Sequence, residues 1–111
     1  MEENRIRDLP KKFRILSSHK GTRALIEIVK LLYEKPERLE EPLNIILREV
    51  AVDCDSTEKN IVNNIDTLCK KIQRGNLAYL SKLAGYTIEG KPRVKELIEI
   101  LTNYFLRNFP K

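Results

Sequence analysis

A chain of 111 residues has room for one domain with a core large enough to fold unaided, which excludes most large enzyme architectures. Hydrophobic residues make up 41% and charged residues 33%, with four Gly and five Pro, so the chain is neither disordered nor fibrous. A net charge of +5, from 21 Lys and Arg against 16 Asp and Glu, permits an anionic partner such as nucleic acid without requiring one.

Punctuation by Gly, Pro and turn residues divides the chain into about six helical segments, and no alternating run is long enough for a strand, so the expected fold class is all-α. Residues 1–17 form an N-terminal segment in which Pro10 opens a short helix over 10–16. From Gly21 to Glu34 the apolar residues Leu25, Ile28, Val29 and Leu32 have i, i+3, i+4, i+7 spacing, with Ile26 and Leu31 on a second face, which predicts a central helix. Residues 35–42, with two prolines and three glutamates, read as a solvated connection.

A helix carrying Leu43, Ile46, Leu47, Val50 and Ala51 then stops in the turn-rich run 53–57. The next helix places Ile61, Ile65, Leu68 and Ile72 on one stripe, with Gly75 expected as its C-cap. A short helix through Leu77, Leu80 and Leu83 ends at Gly85. A loop holding Gly90 precedes a last helix with Pro92 in its first turn and Val94, Leu97, Ile98, Leu101 and Phe105 inside. Cys54 and Cys69 sit in hydrophobic company without CxxC spacing and read as reduced core thiols. No apolar run approaches the ~18 residues of a membrane span, and the polar N-terminus does not fit a signal peptide, so a cytoplasmic protein is expected.

Two helices across a tight turn, with Ala51 small enough for a close crossing and Ile61 inside ten residues later, match the layout of a helix-turn-helix. In that layout the first helix braces the second, whose outward side chains enter a major groove. Those are Lys59, Asn60, Val62, Asn63 and Asp66, the expected base readers: Asn pairs with adenine, Lys reaches guanine, and the Val62 methyls meet a thymine methyl. The same residues also fit an ordinary solvated helix face. Residues 24–55 are net −4, whereas 1–23, 56–76 and 77–111 are each net positive. Lys20, Ser56, Lys70, Lys71, Arg74, Lys91 and Arg93 are the expected phosphate contacts.

The inventory for catalysis is poor. His19, the one histidine, has no sequence partner to make it a base or a ligand. The run 53–57 matches the letters of the DxDxT motif of aspartyl-phosphate phosphatases, but that motif follows a buried strand in a much larger α/β domain. It also lacks the Gly and Glu spacing of an EF-hand. No enzyme activity, cofactor, metal or small-molecule substrate is expected.

His19-Lys20-Gly21 with Leu25, Glu27 and Tyr33, then Arg74-Gly75-Asn76, Leu83, Gly85-Tyr86-Thr87 and Lys91-Pro92, resemble the C-terminal effector domain of the stage zero sporulation protein A family over about residues 18–107. The resemblance implies a six-helix domain, over residues 18–111, that binds short promoter boxes in double-stranded DNA through the second helix of its motif, over 56–72. It further implies adjacent copies on DNA and contact with RNA polymerase. The family places arginines where Asn63 and Asp66 stand, so its guanine contacts do not carry over, and the match needs a one-residue deletion between Ile65 and Ile72. Met1 begins about twenty residues before the match, so no receiver domain and no control by phosphorylation are expected within this chain. The leading expectation is a sequence-specific DNA-binding regulator. The competing one is an interaction module of the same fold that modulates a regulator or RNA polymerase without reading bases.

Overall fold

The computed structural model describes residues 2–8 and 20–110. The order is α1 (Glu2–Arg7), α2 (Lys20–Glu34), a 3-10 turn (Pro36–Glu40), α3 (Leu43–Asp53), α4 (Glu58–Gly75), α5 (Leu77–Ala84) and α6 (Val94–Asn108), with no strand among the described residues. The fold class is all-α. None of these helices is long and apolar enough to cross a membrane. The helix expected over 10–16 and His19 lie outside the described residues.

Helix α2 is the centre, because its apolar residues surround it. Ala24, Leu25, Ile26, Ile28, Val29, Leu32 and Tyr33 are all buried, and a helix apolar on most sides needs neighbours on most sides. It packs most extensively on α4 and α6. Helix α4 contributes Ile61, Ile65, Leu68, Cys69 and Ile72 to the same core, and α6 contributes Leu97, Ile98, Ile100, Leu101 and Phe105. Gly21 marks the tightest approach. A Cβ there would stand 2.5 Å from the carbonyl oxygen of Asn64 in α4 and 3.0 Å from Leu68 Cδ1, so only a residue without a side chain admits this crossing.

Helix α1 was not visible in the sequence because it offers a single apolar residue, Ile6, which is buried among the core residues. The Arg5 guanidinium lies 4.1 Å from the centre of the Phe109 ring, and the Tyr33 hydroxyl donates to the Phe109 carbonyl oxygen. These contacts tie the chain beyond α6 to both α1 and α2. The glutamate-rich connection is more ordered than expected. Pro36 opens its 3-10 turn, and Arg38 binds Glu41 at 3.0 Å and Glu49 of α3 at 2.6 Å. Both cysteines are free thiols. Burial pushes the Cys69 thiol up to about 11, so it stays protonated and unreactive at neutral pH.

Boundaries differ from the sequence reading at the end of α4 and at the start of α6. Gly75 is not a left-handed cap: it is the last residue of α4, Asn76 follows as the cap, and α5 begins at Leu77. A Cβ on Gly75 would meet nothing within 4 Å. The second is Pro92, which precedes the N-cap Arg93 and so stands outside α6 instead of in its first turn.

Candidate nucleic-acid interface

The turn between α3 and α4 fixes where α4 points. Helix α3 ends in a Schellman arrangement: the Ser56 amide donates to the Ala51 carbonyl at 2.9 Å and the Asp55 amide to the Val52 carbonyl at 3.3 Å. Asp55 takes the left-handed position, with φ 50°, where glycine is the usual occupant. This reversal consumes Ser56, so α4 starts two residues later than expected. Thr57 is the N-cap, its hydroxyl oxygen accepting from the Asn60 amide at 3.1 Å. Asp55→Gly is expected to stabilise the fold by about 1 kcal/mol, because it removes a left-handed side chain and a carboxylate from the end of α3. A urea midpoint that rises with unchanged slope checks this.

The buried stripe of α4 sets its rotation. With Ile61, Ile65, Leu68 and Ile72 turned inward, Lys59, Asn60, Asn63, Thr67, Lys70, Lys71 and Arg74 are exposed, and at 100° per residue they occupy an arc of about 120°. Of the expected base readers, Lys59, Asn60 and Asn63 share this arc. Val62 does not: it falls toward the inward side and packs half-buried against the core. Thr67 does belong to the arc and was not singled out in the sequence, although the helical period alone places it there. Its hydroxyl donates to the Asn63 carbonyl at 3.0 Å.

Asp66 lies at the edge of the arc and is occupied. Its carboxylate accepts from Lys91 Nζ at 2.5 Å and lies 3.7 Å from Lys70 Nζ. The Lys91 ammonium holds its carboxyl below the usual carboxylate range, so Asp66 is charged at neutral pH. The expected base reader and the expected phosphate contact therefore neutralise each other, and the loop before α6 is held against α4. The other acid of the helix, Glu58, is likewise answered, by Arg48 of α3 at 3.2 Å. Both carboxylates that would repel a phosphate backbone carry a cation, whereas Lys59, Lys71 and Arg74 make no ion pair with a described residue.

The remaining expected phosphate contacts are scattered. Ser56 is half-buried with its amide used in the turn. Lys20 begins α2, its side chain lying outside the described part. Arg93 is exposed at the start of α6, where it lines a concavity of about 700 Å³ with Tyr86, Lys95, Glu96 and Arg107. Among the described residues no group of three His, Cys, Asp or Glu is placed to hold a metal ion.

Compared with known proteins, the chain matches no protein-family model, and no curated protein is significantly similar to it.

Proposed function

We propose that the protein is a sequence-specific DNA-binding transcriptional regulator that lays α4 in the major groove, in the manner of the sporulation effector domains its loops resemble. One observation carries the reading: an uncovered helix face bearing two amides and four cations, on a helix whose two acids are already paired. A major groove about 12 Å wide admits one α-helix. In that pose Asn60 and Asn63 offer the donor and acceptor pair that matches adenine, and Lys59 offers a donor to guanine. Lys70, Lys71 and Arg74 at the far end of the helix meet phosphates and set the register.

Fluorescence anisotropy with a pool of mixed duplexes tests the reading. The expected result is binding near micromolar protein that weakens steeply between about 50 and 200 mM salt, with a log–log slope of about −3 to −4. No salt-sensitive binding in that range would refute it. Asp66→Asn is expected to tighten binding to all duplexes by roughly threefold to tenfold, because it removes a negative charge and releases Lys91 and Lys70 toward phosphate. A loss confined to duplexes with cytosine at one position would instead return Asp66 to base reading, since a carboxylate accepts from the cytosine amino group.

A further inference from the structure

The exposed side of α3 has an unusual composition. Val52 is 81% exposed and Ile45 43%, the only large aliphatic side chains so exposed among the described residues. Seven residues apart on one helix, they stand on the same face about 10 Å from each other. Beside Val52 runs a groove of about 420 Å³ between α2 and α3, with Leu31 and Val50 in its lining and Glu27, Glu34, Glu49 and Asp53 among its walls against one cation, Lys30. Arg7 approaches Glu27 at 3.9 Å and Arg38 binds Glu49, so the surface is acidic without being a bare anion cluster. It lies within the one stretch of the sequence that is net negative.

We propose that this face docks a basic amphipathic helix from a partner protein, its apolar side chains seated on Val52 and Ile45 and its lysines or arginines on the groove carboxylates. Paired anchors one heptad apart are the spacing that a helix laid along a groove presents, and the carboxylate walls select a cationic partner and its orientation. The four wall carboxylates disfavour DNA and an anionic membrane surface, and Arg48, between Ile45 and Val52 on α3, is turned to Glu58 of α4 at 3.2 Å. The cationic arc of α4 in a second copy of this chain is polar along its length and brings no aliphatic anchor. The inference stands on α2 and α3 alone and is independent of the DNA-binding reading.

The probe is a synthetic helical peptide of about 14 residues with leucines seven apart and flanking lysines, compared with a scrambled peptide of the same composition. Titration into the labelled whole protein, followed by backbone amide NMR, is expected to give saturable shifts at Leu31, Glu49, Val52 and Asp53. The ordered peptide should bind at least roughly tenfold more tightly than the scrambled one. Val52→Ser, at a position too exposed to matter for folding, should abolish that preference, and Asp53→Lys should weaken both peptides. Equal affinity for the two peptides, shifts centred elsewhere, no binding at millimolar peptide, or a preference untouched by Val52→Ser would each overturn the proposal. So would concentration-dependent self-association of the protein that Val52→Ser removes, since it would assign the face to a second copy.

Discussion

Gly21→Ala is expected to cost a net ~2 kcal/mol of stability, even though alanine favours a helix over glycine by about 1 kcal/mol. The added methyl would lie 2.5 Å from the carbonyl oxygen and 2.7 Å from the carbonyl carbon of Asn64. Those are backbone atoms in the middle of α4, so the clash cannot be relieved by turning a side chain. Either α2 or α4 must move as a body, and each carries a large share of the core. Gly75→Ala is the internal control: its methyl meets nothing, so the propensity gain should appear undiluted as a stabilisation of about 0.5–1 kcal/mol. Urea unfolding of both variants decides the point. Equal stabilisation of the two would mean that the α2–α4 crossing is looser than described.

Lys70, Lys71 and Arg74 changed together to alanine should weaken binding to every duplex alike, by roughly 30-fold to 300-fold at low salt, and make the salt slope shallower by about 2.7. The three are exposed on the last two turns of α4, and the one ion pair they contribute, Lys70 to Asp66 at 3.7 Å, is a surface pair of small value. The fold should therefore persist, with an unchanged thermal midpoint. A slope equal to that of the unaltered protein would place the phosphate contacts elsewhere.

The helical skeleton was readable because one core imposes one period. The stripes Leu25–Leu32, Ile61–Ile72 and Leu97–Phe105 all face it, and each falls on a helix of the structure. Segments with a weak apolar pattern were not readable. Helix α1 has only Ile6, and the 3-10 turn depends on Arg38 reaching Glu49 eleven residues on. Helix ends were missed where the backbone departed from the usual residue choice: Asp55 takes the turn conformation that sequence reading assigns to glycine, while Gly75 takes none.

The candidate interface divides along the same line. Its residue set follows from the helical period, which also shows, on closer reading, that Thr67 belongs and Val62 does not. Its electrostatics were hidden, because Asp66 meets Lys91 across 25 residues and Glu58 meets Arg48 across ten. Read as isolated letters, both acids argue against a phosphate partner. Paired, they leave the cations of α4 to determine the sign of the surface.

Selection of bound duplexes from a random library, run in parallel with the unaltered protein and with Asn63→Ala, tests most directly whether the exposed arc of α4 reads sequence. The expected result is one enriched site for the unaltered protein and, for the variant, the same site with discrimination relaxed at a single base pair by about 1–3 kcal/mol. Absence of any enriched site, or identical sites at every position for the two proteins, would contradict it.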